Sequence, residues 1–218
     1  MLLVGNGRLI TRSCTNPYLE NGTVALDGET VQETGTLEAM RAKYPGAEFV
    51  DVKGGVIMPG LINVHTHIYS GLARGLSIDG FHPANFFEVL DGQWWNIDRH
   101  LTLDGTRACA YATVLDCIRD GVTTIFDHHA SFGEIPGSLF AIKDVCAELG
   151  MRACLCYEVS ERDGAEKCAQ SIQENADFAR WAAKEDSDMV KAMFGGHALF
   201  TIGAGGGGEP AVHRSIGD

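Results

Sequence analysis

The stretch 56–67, V-I-M-P-G-L-I-N-V-H-T-H, constrains this chain more than any other. It is a short apolar run bounded by Pro59-Gly60, which reads as a buried strand; in a strand, residues i and i+2 project from one side. His65 and His67 therefore share a face, and two imidazoles on one face supply half of a metal site. With eight histidines in 218 residues, an H-x-H triplet is weak evidence by itself. Its position adds weight: the pair ends the strand, where βα barrels place their catalytic residues.

Downstream, strands and helices alternate. The pattern predicts a strand over 56–65 and a helix over 104–120, with Ala108, Tyr111, Ala112, Leu115 and Ile118 on one side and Gly121 as its stop. A strand over 122–126, a helix over 138–149 closed by Gly150, a strand over 151–157, a helix over 165–184 and a strand over 190–194 follow. These make about four βα units. The fold class is α/β, a partial (β/α)8 TIM barrel, and the right-handed crossover rule makes its sheet parallel. Upstream, residues 2–26 alternate apolar runs with Asn-Gly punctuation, the pattern of short strands and hairpins; 36–44 reads as a helix and 47–52 as a strand. Gly5-Asn6-Gly7 is no dinucleotide fingerprint, because no third glycine opens a helix.

Further candidates lie at strand ends. Asp127, His128 and His129 follow the second strand; either they belong to the site or they form a satisfied turn. Cys154 and Cys156 share a strand face and suit a soft metal or plain burial, the commoner fate of a thiol. The long segment 68–103 carries Arg74, His82, Glu88, Trp94 and Trp95, with a helix expected over 83–90, and reads as a lid over the site.

Seventeen Lys and Arg against 29 Asp and Glu leave a formal charge of −12, which repels phosphate backbones and anionic membranes; neither a nucleic-acid nor a membrane partner is expected. Seven cysteines without paired spacing argue for reduced thiols, and the opening residues hold too short an apolar run for a signal peptide, so the expected location is cytoplasmic.

The segments P-G-L-I-N-V-H-T-H, S-G-L-A-R-G, G-V-T-T-I-F-D-H-H-A and G-G-H-A-L-F-T together resemble the amidohydrolase superfamily, in the branch of triazine chlorohydrolases and cytosine, guanine and adenosine-type deaminases. The resemblance runs from about residue 2 to 201. It implies that 1–55 is part of a small composite β-sandwich and 56–201 the first half of a metal-dependent hydrolase barrel. A Gly-rich tail at 202–218 is expected to be flexible or non-native. It implies one divalent ion, zinc or iron, held by His65 and His67, and substrate contacts from Arg74, Glu88 and His197. Binuclear members use a carboxylated lysine at the end of the fourth strand; Lys191 sits near that strand's start, so one metal is expected. The implied function is hydrolysis of a carbon–nitrogen (non-peptide) bond, the deamination of a purine, pyrimidine or related heterocycle. The chain is expected to be truncated and inactive alone, with catalytic His and Asp in the absent half. A homodimer is compatible with the full-length protein. The alternatives are a cyclic amidase or imidazolonepropionase-like hydrolase and, in another class, a non-catalytic fragment.

Overall fold

A computed structural model describes the chain at residues 1–196 and 201–202. It divides into two compact units, Met1–Gly60 and a second that begins at Leu61. His197 and the Gly-rich tail from residue 203 lie outside the described residues.

In the first unit, β1 (Leu2–Ile10), β2 (Tyr18–Asp27) and β3 (Thr30–Thr36) form an antiparallel meander, and α1 (Leu37–Lys43) follows. The Thr36 hydroxyl caps α1 by accepting the Ala39 N–H, and Met40 packs onto Leu3 and Ala25. The short strands β4 (Glu48–Asp51) and β5 (Val56–Ile57) then pair in turn with the free edge of β1, both parallel to it. Gly5-Asn6-Gly7 has a backbone task. It spans a register shift in β1, where Asn6 is left-handed at φ 60° and its side-chain amide donates to Asp51. A Cβ on Gly5 would lie 2.1 Å from Thr23 Oγ1. The unit is one mixed sheet with a helix; a second sheet is not among the described residues.

The second unit opens with β6 (Leu61–Thr66). A helical run follows in the long connection: α2 (Phe86–Val89), a π-helical turn over Leu90–Trp94, and α3 (Trp95–Arg99). Three helix–strand repeats follow: α4 (Leu103–Arg119), β7 (Val122–His129), α5 (Ser138–Leu149), β8 (Arg152–Val159), α6 (Ala165–Ala182), and the two short strands β9 (Val190–Ala192) and β10 (Gly195–Gly196). All strands are parallel, in the order β6, β7, β8, with β9 and β10 pairing successively with the first and last parts of β8.

Four details depart from the sequence reading. The strand expected over 56–65 is two strands in two different sheets, separated at Pro59-Gly60, where proline offers no ladder donor. β7 runs on through His129, so Asp127, His128 and His129 are strand residues. The strand expected over 190–194 is interrupted after Ala192. Finally, α4 buries Thr106, Cys109, Ala110, Val114 and Cys117, whereas Leu115 and Ile118 are exposed. Small side chains allow a close approach to neighbours, and a helix apolar on more than one face does not declare which face is inside.

Ile125 and Leu155 from the strands meet Val114, Leu139, Ile142, Val145 and Phe178 from the helices in one core. Two buried polar groups on α6 serve its neighbours. Glu174 accepts the N–H groups of Gly137 and Leu139 and so caps α5, which has no cap of its own. Asn175 accepts the Tyr157 N–H and donates to the Tyr157 carbonyl.

Candidate functional site

His65 is the penultimate residue of β6 and His67 follows the strand, just before a 3-10 turn over Ile68–Ser70. Their Nε2 atoms lie 3.1 Å apart. Two nitrogens bound to one tetrahedral zinc at its usual bond length are about 3.3 Å apart, so the pair has the spacing of a chelate. His67 Nδ1 is 2.9 Å from the carbonyl oxygen of His128, which can only accept. That contact fixes the proton on Nδ1 and leaves the Nε2 lone pair facing His65, the outer-shell arrangement of metal-ligating histidines.

β7 supports this corner. Asp127 is fully buried and accepts the Ile68 N–H at 2.7 Å, pinning the turn that carries His67. Burial pushes its carboxyl up to about 8, against the pull of that hydrogen bond. His129, also fully buried, is pushed down to about 3, mainly by burial and further by the neighbouring imidazoles, so it is neutral at ordinary pH. The His128 ring lies 5.8 Å from that of His67 and lines, with His65, His67 and Cys156, a cavity of about 360 Å³. Gly195 makes room for it, since a Cβ there would stand 3.1 Å from His128 Nε2 and 2.9 Å from Cys156 Sγ. Cys156 is buried against the Asp127 carbonyl and its thiol is pushed up to about 12, while Cys154 is half-exposed; no cluster joins them as ligands. Among the described residues, no group of three or more His, Cys, Asp or Glu is placed to hold a metal.

A second, smaller cavity of about 170 Å³ also reaches His67 and is lined by Tyr69, Phe86, Leu90, Trp94 and Glu158. Glu158 belongs to a buried charge cluster that the sequence reading did not find. Arg162 donates to Asp98 from both terminal nitrogens (2.5 and 3.3 Å), to Glu158 from Nε (3.1 Å) and to Asp163 (2.8 Å), and lies 3.9 Å over the Phe132 ring. Burial pushes Asp98 up to about 7 despite the guanidinium. The cluster ties α3 to the segment after β8. Its only sequence signal was the E-V-S-E-R-D run past the third strand, since Asp98 is 64 residues away.

The remaining candidates are dispersed. Arg74 is exposed and ion-paired with Asp116 on α4, lining a cleft that His67 also reaches. Glu88 accepts from the Ala84 N–H and the Asn85 side chain while Asn85 accepts the Glu88 N–H, a reciprocal cap for α2. Trp95 is buried beneath Arg162 and Arg99, and Trp94 faces the small cavity. Lys191 is paired with Asp188. The structure thus brings His65, His67 and His128 together and leaves Arg74 and Glu88 in surface contacts.

Comparison with known proteins gives a consistent picture. The chain is 29% identical over 198 residues to the 5'-deoxyadenosine deaminase of Methanosarcina barkeri, covering 90% of this chain and 42% of that protein. It is 29% identical over 201 residues to the 5-methylthioadenosine/S-adenosylhomocysteine deaminase of Thermococcus onnurineus, covering 92% and 43%. The fold matches atrazine chlorohydrolase from Arthrobacter aurescens, solved with zinc, at a TM-score of 0.71 and 23% identity over 90% of this chain and 46% of that one. It also matches guanine deaminase from C. acetobutylicum, solved with guanine in the active site, at 0.71 and 14% identity over 89% and 45%. The chain spans less than half the length of these proteins. The profile of the amidohydrolase family matches residues 56–206, most of the chain and every element from β5 to β10; the chain belongs to the amidohydrolase family.

Proposed function

We propose that this chain carries the first-strand corner of a metal-dependent hydrolase that deaminates a small heterocycle, of the purine or pyrimidine kind, at a carbon–nitrogen bond. The observation that carries the reading is the 3.1 Å approach of His65 and His67 Nε2 at a strand end, with His67 oriented by the His128 carbonyl. Borderline-soft imidazole donors suit zinc and also iron. When bound, such an ion supplies Lewis acidity that brings the deprotonation of water toward neutral pH. The chain's own residues do the rest here: Asp127 holds the His67 turn, and Tyr69, Phe86 and Trp94 offer apolar and aromatic walls of the kind a flat ring requires. Arg74, Glu88 and His197 are proposed to meet the substrate, with His128 and His129 completing the surroundings of the metal.

The family membership supports reading residues 56–201 as half of a TIM barrel and 1–55 as part of a composite β-sandwich. The negative charge supports a small-molecule partner in the cytoplasm over nucleic acid or lipid; no helix among the described residues is long and apolar enough to cross a membrane. A second reading, a half-barrel without catalysis, is favoured by the lack of a third metal donor among the described residues.

The test is ammonia release from adenosine-type, guanine-type and triazine substrates by a parent protein extended to the length of the relatives, with elemental analysis of the same protein. Metal that disappears in the His65→Ala, His67→Ala double variant, together with ammonia release by the parent, is the expected result. Ring opening without ammonia would instead make it a cyclic amidase or imidazolonepropionase-like hydrolase, and metal unaffected by the double substitution would refute the assignment.

A further inference from the structure

Glu158 and His67 line one cavity of about 170 Å³, and the proposed function gives Glu158 no task. Glu158 is the penultimate residue of β8, at the C-terminal end of a parallel strand, where βα folds gather their working groups. The two-residue strand period puts it on the face of β8 that carries Cys156, and Cys156 lines the larger cavity beside His65 and His67. Its partner in the ladder is Gly195 on β10, which brings no side chain over it. The surroundings are short of positive charge. One guanidinium, with the Arg162 side chain 4% exposed, meets two carboxylates just as buried, Asp98 at 1% and Glu158 at 5%. Arg162 also pairs with Asp163, which Arg99 shares with Asp91. Among the described residues, the ion pairs of this cluster thus set four carboxylates against two guanidiniums. Burial, and then the nearby Glu158 and Asp163, drive Asp98 toward keeping its proton, although Arg162 opposes this. Buried carboxylate in excess is costly until a cation offsets it. An ionised carboxylate has about four acceptor sites, and the Arg162 Nε contact takes one of those on Glu158.

We propose that Glu158 determines the specificity of this cavity, and that the ligand it selects is a flat ring bearing a cationic amine or amidine-type group whose N–H donors meet the carboxylate. Tyr69, Phe86 and Trp94 wall the ring. A charged donor makes the shorter and stronger hydrogen bond to a carboxylate, and removal from water strengthens the attraction further. A neutral ring of the same shape fills the walls and forgoes the charge-assisted bond. A ring carrying a carboxylate or phosphate here adds a like charge to a site already in excess and is rejected. The inference rests on the proposed function only in taking the ligand to be the substrate; binding in this cavity needs neither metal nor turnover.

Benzamidinium, benzamide and benzoate offer one shape in three charge states and serve as probes. Each is titrated into the 218-residue chain in EDTA near neutral pH, with calorimetry as the readout and tryptophan quenching as a second, since Trp94 lines the cavity. Benzamidinium should bind about tenfold more tightly than benzamide, and benzoate most weakly of the three. Aromatic walls favour a cation by themselves, so Glu158→Gln, which keeps the size and an acceptor oxygen, makes the decisive comparison. It should bring benzamidinium to within about twofold of benzamide. Phe86→Ala, at a position 71% exposed and outside the charge cluster, should weaken both probes by one factor and leave the preference intact. Should Glu158→Gln prove unfolded in urea titration, the order of affinities on the parent and the Phe86→Ala result decide together. A parent that fails to bind benzamidinium, binds it no better than benzamide, or prefers benzoate would overturn the inference. So would a preference that survives in folded Glu158→Gln, or benzamidinium binding that Phe86→Ala leaves unchanged. With metal chelated throughout, none of these outcomes touches the ammonia and metal tests, and failure of those tests would leave the ligand class standing.

Discussion

Asp127 and His129 sit two residues apart on β7, both fully buried, and burial displaces their protonation in opposite directions. His129 is held at about 3, below the 6.5 of an exposed imidazole. Between those values the unfolded chain binds a proton that the folded chain does not, so stability falls as the pH falls. Asp127 is held at about 8, above the 3.8 of an exposed carboxyl. Between those values the folded chain keeps a proton that the unfolded chain has released, so stability falls as the pH rises. Each contribution is worth about 1.36 kcal/mol per pH unit, and between about pH 4 and 6.5 the two cancel. The substitution His129→Gln unmasks Asp127, and stability should then rise by about 2 kcal/mol on going from pH 6 to 4.5. Asp127→Asn unmasks His129, and stability should fall by about 2 kcal/mol over the same interval. Urea unfolding followed by tryptophan fluorescence, at fixed protein concentration, measures this in the second unit alone, because Trp94, Trp95 and Trp181 all lie there. Carboxylates elsewhere contribute equally to all three proteins, so the difference between the curves is the readout. Three parallel curves would refute the argument that these two side chains are buried in the protonation states described.

The buried cluster around Arg162 makes a second prediction: Arg162→Leu strands Asp98 and Glu158 without their cation and should cost about 3–5 kcal/mol, part of which Asp98→Leu in the same chain should restore. Gly195→Ala places a methyl group 2.5 Å from the Tyr157 carbonyl oxygen and against His128; a loss of about 1–3 kcal/mol and a displaced His128 imidazole resonance should follow. Arg74→Ala breaks an exposed ion pair and should change stability by less than about 1 kcal/mol, so that a rise in KM in the active enzyme would report substrate contact directly.

Much of the second unit was legible because its punctuation is local. Gly121 and Gly150 end α4 and α5 in left-handed conformations at φ 77° and 70°, and the strand period put His65 and His67 on one side before their distance was known. The same local logic misjudged 56–65, since pairing partners decide whether a strand continues past Pro59-Gly60, and partners lie far off in sequence. It misjudged the inner face of α4 for a related reason, as Cys109, Cys117 and Thr106 are chosen by the sheet they pack on. Arg162 with Asp98 and Glu158 was illegible: three charged residues read as solvated until the fold closes over them. Asp127 was singled out for its place near a strand end, but the hydrogen bond that gives it a task reaches 59 residues back to Ile68.

The cap that Glu174 places on α5 bears on how the chain comes together during synthesis. Leu139 leaves the ribosome 35 residues before the carboxylate that its amide needs, and no nearer side chain takes that place. The first turn of α5 therefore stays frayed until α6 has been made and has docked. The two helices and β8 between them then form one cooperative unit, whose opening exposes the Leu139 amide and the Asn175-held Tyr157 amide together. Hydrogen exchange at these two sites should share one opening free energy, although one belongs to a helix and the other to a strand.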